Sequence, residues 1–453
     1  MIHFESNYLT KQGLISMKVI TYPSKSAEKR MSAIVGRGID FKKKDIQNVT
    51  RILADVQKRG DDALMEYTHR FDAPRLKSAD MMVSQKEMQQ AVKAVGRPFV
   101  RALNRAVAQI EDFHKRQKQN SWIDMPRAGT ILGQLINPVD RVGVYVPGGQ
   151  SGKTPLVSSV LMNVIPARIA GVRKIIMVSP PKKNGRLDPH LLVAARKVKV
   201  DSIYKAGSAW AVAALAFGTQ TIPKVDVIVG PGNIYVTLAK KMVSGMVGID
   251  MIAGPSEILV IADKSARPAF IAADLLSQAE HDPLASSVLV TDSRETAKAV
   301  VAAVEEQLKN LKRKEIAIQS MSRFGAAFVV ETISQAIDVA NRLAPEHLEL
   351  QIEKPFDYIG RIKNAGAVFI GKHTPEPVGD YIAGPNHVLP TAGTARFSSA
   401  LSVDCFTKKT SLIRYTKGAL EKEAKDILEL ASVEGLDAHA NAVRIRLDGL
   451  KDN

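Results

Sequence analysis

The sequence predicts an α/β protein in which two doubly wound parallel units follow a mainly helical N-terminal region. Three observations carry this expectation. Up to about Trp122, apolar residues recur at helical spacing. From Arg141 onward, short apolar runs alternate with helical stretches, the pattern of strands joined by crossover helices. The alternation falls into two successive blocks of similar design, 141–250 and 251–383.

The elements follow in order. In the N-terminal region, taken as 1–140, Asp45 to Tyr67 and Ser84 to Lys118 read as helical, with Ile46, Val49, Ile52, Leu53 and Val56 on one face. Asp72-Ala73-Pro74 separates them. Met1 to Leu14 contains Glu5 and lacks an apolar h-region, so it reads as an extension rather than a secretory signal, with Met17 as a second possible start. Val142 to Val146 is a strand ending in Pro147-Gly148-Gly149. Lys174 to Val178, Asp201 to Lys205 and Val225 to Val229 are further strands, separated by helices over Asp188–Val198 and Ala209–Phe217. Pro189 suits the first turn of its helix. In the second block, strands are expected at Glu257–Ile261, Ser287–Thr291, Ala327–Val330 and Ala367–Ile370. Helices are expected at Pro268–Glu280, Arg294–Leu311 and Ile333–Leu343. The tail, 384–453, is Gly/Pro/Ser-rich and then helical from Lys417 to Val433; it reads as an extension that docks elsewhere.

Composition narrows the class. The 453 residues are 45% hydrophobic and 24% charged, ordinary for a globular protein with two or three cores. No apolar run approaches the roughly 18 residues that span a bilayer. One cysteine, Cys405, excludes an intramolecular disulfide framework and any multi-cysteine metal site, and suits a reducing cytoplasm. The net charge of +17 is spread along helices, and aromatics are only 5%, without a nucleic-acid-binding motif. The charge therefore reads as a solvated surface, and neither nucleic acid nor membrane is expected as a partner.

Several motifs carry chemistry. Open α/β sheets bind ligands at the carboxyl ends of their strands. The loops Pro147-Gly148-Gly149, Gly230-Pro231-Gly232-Asn233 and Gly254-Pro255-Ser256-Glu257 are expected there, although each alone is also an ordinary tight turn. Neither G-x-G-x-x-G nor a P-loop occurs. In Ala344-Pro345-Glu346-His347-Leu348-Glu349, the Pro ends a helix and displays Glu346 beside His347. A carboxylate next to an imidazole suits acid–base work near neutral pH. Gln278 and His281, three apart, share a helix face. With Asp380 and His439 they would offer an amide, a carboxylate and two imidazoles, a set that suits zinc. Spacing alone does not choose among nine histidines, and His114, His373 and His387 are equally visible.

Taken together, these motifs resemble histidinol dehydrogenase from about Lys18 to Leu447. The resemblance rests on Arg141–Gly149, Gly230–Val236, Asp250–Glu257, Asp274–His281, Ala344–Glu349, Gly379–Tyr381, Gly384–Pro390 and Glu434–Ala440. It implies two Rossmann-like units and a C-terminal tail that crosses to a second copy in a homodimer with shared sites. It implies one Zn2+ per subunit, NAD as hydride acceptor, and histidinol oxidised by way of its aldehyde to histidine. Carried over by motif, Gln278, His281, Asp380 and His439 are the zinc ligands, and Glu346 and His347 the acid–base pair. Ser256 and Glu434 contact substrate, as the ligand and acid–base residues also do, and Tyr145 and Asn233 contact NAD. One departure stands out. The family usually has Gly-Gly-Ala-Gln-Ala where this chain has Gly207-Ser208-Ala209-Trp210-Ala211. Trp210 offers one N–H donor and no carbonyl acceptor, so it either stacks on a ring of NAD or obstructs the pocket. Competing readings are a sister dehydrogenase acting on another small alcohol such as sulfopropanediol, a catalytically impaired relative, and a basic nucleic-acid binder.

Overall fold

The computed structural model describes residues 17–37, 41–148 and 155–448. The expected extension Met1–Leu14 and Gly149 of the first glycine turn lie outside the described residues. Two compact units are present. Among the described residues the larger runs through 17–117 and 140–406, and the smaller through 118–139 and 407–448.

The chain opens with β1 (Lys18–Thr21), then α1 (Lys25–Val35), α2 (Lys43–Arg59), α3 (Asp61–Phe71), α4 (Gln85–Ala94) and α5 (Arg97–Lys115). Gly60 and Gly96 break the two long helical stretches expected here into pairs. Next come β2 (Trp122–Arg127) and β3 (Thr130–Pro138). The first α/β block is β4 (Arg141–Tyr145), α6 (Val157–Ala170), β5 (Lys174–Ser179), α7 (Pro189–Lys197), β6 (Ser202–Lys205), α8 (Ser208–Phe217), β7 (Val227–Val229), α9 (Ile234–Val243) and β8 (Gly248–Ile249). The second is β9 (Glu257–Ala262), α10 (Pro268–Ala279), β10 (Ser286–Thr291), α11 (Arg294–Leu308), α12 (Lys314–Phe324), β11 (Ala326–Val329), α13 (Ile333–Leu343), β12 (His347–Gln351), β13 (Ala367–Ile370) and α14 (Glu376–Tyr381). The chain ends with β14 (Thr407–Tyr415), α15 (Lys417–Val433) and α16 (Asp437–Asp448).

Both blocks build the same sheet. The first runs β6-β5-β4-β7-β8 and the second β11-β10-β9-β12-β13, all parallel. Each order reverses after its first strand, as in a doubly wound α/β fold. The N-terminal β1 adds a parallel edge strand to the second sheet beside β11. Strand alternation explains the layering. Leu259 and Ile261 of β9 face α1 and α13 through Met31, Ile34, Ile337 and Leu343. Ile258 and Val260 face α10, α11 and α12 through Ile271, Leu275, Val300 and Met321. In the first sheet, Tyr145, Ile176 and Ile228 meet Val49, Ile52, Leu64, Leu215 and Leu238 from α2, α3, α8 and α9.

The expected tail divides. Residues 384–406 stay in the larger unit, where Asn386 Nδ2 donates to the Met162 carbonyl at 2.7 Å and the Leu401 N–H to the Val388 carbonyl at 2.9 Å. From Thr407, β14 pairs antiparallel with β3, which in turn pairs with β2. This three-stranded sheet was not anticipated.

Trp210 is placed differently from expectation. It sits in the first turn of α8, only 5% exposed, in the core between the first sheet and the N-terminal helices. Its ring stacks on Phe71 at 5.4 Å and on Tyr67 at 5.9 Å between centroids. Packing of α3 on α8 thus buries the indole. Trp210→Ala should therefore lower stability by about 3–5 kcal/mol, whereas Trp210→Phe, which removes the buried indole N–H that has no partner, should cost far less. Urea unfolding of the variants checks this; an alanine variant as stable as the parent would remove the packing role.

Candidate active site

The topology sets a crevice in the first sheet. In the first sheet, β4 and β7 are neighbours at the point where the strand order reverses. Gly230 ends β7 with φ 112°, and a Cβ there would lie 2.0 Å from the Tyr145 carbonyl oxygen at the end of β4. Only glycine fits both demands. The turn is braced from within: the Gly230 N–H donates to Asp250 Oδ2 at 2.8 Å, and Lys240 Nζ donates to the Gly230 carbonyl at 2.9 Å while pairing with Asp250. Asn233 Oδ1 caps α9 through the N–H groups of Tyr235 and Val236. The Tyr145 hydroxyl accepts the Ser208 N–H at 3.1 Å, and burial pushes this phenol up. Ser208 takes φ 46°, a left-handed value that favours glycine, where the related pattern has glycine.

The other site motifs gather at the opposite strand ends, in the second sheet. Gly254-Pro255-Ser256-Glu257 leads into β9, and Glu346-His347 leads into β12. The expectation that the Gly254 loop lies at a carboxyl end is corrected: it lies at an amino end. The loop follows β8, which ends at Ile249, and runs directly into β9 at Glu257. Ala344, in the left-handed region at φ 50°, closes α13, and Pro345 turns the chain directly into β12.

Glu257 and Glu346 interlock. The Glu257 N–H donates to Glu346 Oε2 at 2.9 Å, and the Glu346 N–H donates to Glu257 Oε2 at 3.1 Å. Glu257 Oε1 also accepts from Arg37 Nη2 at 2.5 Å and from the Ala392 N–H at 3.1 Å. Burial, with the neighbouring Glu257, Asp380 and Glu376 carboxyls, holds Glu346 well above the ordinary carboxyl range. His347 Nδ1 lies 2.9 Å from the Glu257 carbonyl oxygen, an acceptor, so this nitrogen carries the proton and Nε2 keeps its lone pair. Burial pushes the imidazole down to about 4, so it is neutral at physiological pH.

Around Nε2 the donors converge. His347, Glu376 and Asp380 offer ligand atoms that all lie within 4.8 Å of one another, the one such group of three among the described residues. Gln278, buried in the last turn of α10, hydrogen-bonds Glu376, and Glu376 hydrogen-bonds Asp380. Burial pushes Glu376 up to about 8. Burial alone would raise Asp380 too, but its hydrogen bond with His387, 3.2 Å from Nδ1 to Oδ1, holds it low. His281, just past α10, is exposed and acts on His347 electrostatically. A pocket this rich in buried carboxyl groups suits a cation.

The structure thus brings Gln278, Glu346, His347 and Asp380 into one cluster, with His281 at its edge and Ser256 in the loop before β9. Glu434 and His439 lie on the smaller unit, where both are exposed. Sequence reasoning passed over Arg37, Glu257, Glu376 and His387 as participants. Glu376 did leave a signal: it stands between two prolines, four residues before Asp380, and so shares a helix face with it. Cys405 is half-buried, with burial raising its thiol, and takes no part in the cluster.

Comparison with known proteins agrees with the motifs. The family profile described as histidinol dehydrogenase matches residues 37–447. The histidinol dehydrogenase of Desulfotalea psychrophila is 54% identical over 88% of this chain and 92% of its own length. That of Geobacter metallireducens is 50% identical over 96% of this chain and 99% of its own. A crystal structure of histidinol dehydrogenase from Elizabethkingia anophelis superimposes with a TM-score of 0.90 at 39% identity, covering 97% of this chain and all of that one. With a profile spanning most of its length and relatives at half identity, this chain belongs to the histidinol dehydrogenase family.

Proposed function

We propose that this chain oxidises L-histidinol through L-histidinaldehyde to L-histidine with reduction of two NAD, the last steps of histidine biosynthesis. The observation that carries the reading is His347. It is a buried neutral imidazole, tied at Nδ1 and open at Nε2, at the centre of a carboxyl-rich pocket.

Each residue then has a task. Gln278, His281 and Asp380, with His439 from a neighbouring copy, would hold one zinc ion per subunit. The amide, carboxylate and imidazole donors suit this metal. When bound, zinc supplies a fixed positive charge that orients the imidazole and amine of histidinol and carries no electrons. Ser256 and Glu434 contact the substrate, Glu434 through the substrate amine. His347 Nε2 takes the hydroxyl proton as hydride leaves for NAD in the crevice bordered by Tyr145 and Asn233. Glu346 then takes a proton from the water that adds to the aldehyde, and the hydrate yields the second hydride.

The same reading makes the protein a homodimer. The smaller unit leaves Trp122, Ile123, Met125, Ile413, Leu430, Val433 and Ile445 between 52% and 78% exposed. These apolar side chains are open to contact with a second copy. Glu434 and His439, exposed on that unit, would enter the neighbouring copy's site. Mixing inactive His347→Asn with inactive His439→Ala should then restore up to about a quarter of wild-type activity, because one site in each heterodimer receives only intact groups. Confirmed subunit exchange without recovery would place each site within one chain. Among the described residues no helix is long and apolar enough to cross a membrane. We place the protein in the cytoplasm.

A further inference from the structure

We propose that Glu349 is a positioning residue that sets the turn carrying Glu376 and Asp380 and thereby tunes metal affinity. The inference rests on the reading of Gln278, His281 and Asp380 as this chain's zinc ligands. Strand β12 is two-sided: Leu348 and Leu350 join the apolar core, while His347, Glu349 and Gln351 form a buried polar stripe on the other face. That stripe meets Asp274 and Gln278, four apart on one face of α10, through the hydrogen bond between Gln351 and Asp274. It also meets the start of α14.

Helix α14 has only six residues, and no side chain of its own N-cap, Pro375, caps it. Its first N–H, that of Glu376, is one of the donors a helix start leaves without an intrahelical partner. Glu349 Oε1 accepts that N–H at 3.1 Å. The Glu349 carboxyl is itself clamped: Gln351 Nε2 donates to Glu349 Oε2 at 2.9 Å and to Asp274 Oδ2 at 2.7 Å, and Glu349 hydrogen-bonds Asp274. Glu349 therefore caps α14 from β12, the strand that also bears His347. The three elements that carry Gln278, His347, Glu376 and Asp380 are thereby held together by one buried carboxyl. Partners behind the ligands of metal sites typically affect metal affinity by about 10–100-fold.

The test uses full-length protein stripped by a chelator. Zinc alone is the probe, titrated in competition with a chromophoric chelator, and the visible spectrum of the Co2+ form reports ligand geometry. Glu349→Ala should weaken zinc by about 10–100-fold and alter the Co2+ spectrum. Glu349→Gln should bind within about threefold of wild type. Its carbonyl still accepts the Glu376 N–H and its amide can donate to Asp274; Gln351, turned so that Oε1 receives the new amide, gives up its own bond to Asp274, which leaves the cap on α14 intact. Should the alanine variant not fold, Glu349→Asp keeps the charge and withdraws the acceptor by one methylene, and should bind zinc between the other two. Wild-type affinity and spectrum in Glu349→Ala or Glu349→Asp would overturn the proposal, as would a glutamine variant as weak as alanine. A wild-type chain that binds no zinc removes the site reading and this inference with it, and is plainly distinct from a variant that binds normally.

Discussion

His347→Asn should lower the rate of histidinol oxidation by about 10²–10⁴-fold, the usual contribution of a positioned proton acceptor. The asparagine amide can still donate to the Glu257 carbonyl, but it has no basic nitrogen where Nε2 now stands. Zinc content should stay unchanged. Glu346→Gln should behave differently, slowing oxidation of supplied histidinaldehyde more than oxidation of histidinol, because only the second step needs water activated. Separate assays of the two half-reactions decide the matter. Equal and mild losses in both steps for both variants would show that the roles are wrongly assigned.

Arg37→Leu should destabilise the fold by about 3–5 kcal/mol, the cost of stranding a buried partner charge. Arg37 and Glu257 both lie in the interior, and their contact at 2.5 Å is, among the described residues, the one ion pair of a carboxyl that also positions Glu346 and Ala392. Arg37 further donates to the carbonyls of Leu284 and Ile34, so its loss also leaves these acceptors unpaired. Adding Glu257→Gln to Arg37→Leu should recover part of the loss, because a neutral amide is cheaper to bury than a lone carboxylate. Urea unfolding of the single and double variants measures this. A single-variant loss under about 1 kcal/mol would mean that water reaches the pair.

The second α/β block was legible because its strands are short apolar runs and its helices amphipathic, so Glu257–Ala262 and Arg294–Leu308 fall where the pattern put them. Other elements were masked. In β2 every residue is exposed, so no alternation marks it as a strand. Helix α9 begins directly at its Asn233 cap, where the preceding Gly-Pro-Gly reads as a loop. Helix α12 follows α11 after a short connection within one charged stretch. At the site, Glu346 and His347 announce themselves because they are adjacent and follow a proline. The pairing of Arg37 with Glu257 spans 220 residues, and no local pattern predicts it. The burial of Trp210 was hidden for a related reason: Tyr67 and Phe71, on which its ring packs, are far away in sequence.

One measurement bears most directly on the central claim: the NADH formed per histidinol consumed, in zinc-loaded and chelator-stripped protein. Two NADH per histidinol, with histidine as product and activity lost on stripping and regained with zinc, is the expected result. No NADH from histidinol together with turnover of another small alcohol such as sulfopropanediol, or full histidinol oxidation by the metal-free protein, would contradict it.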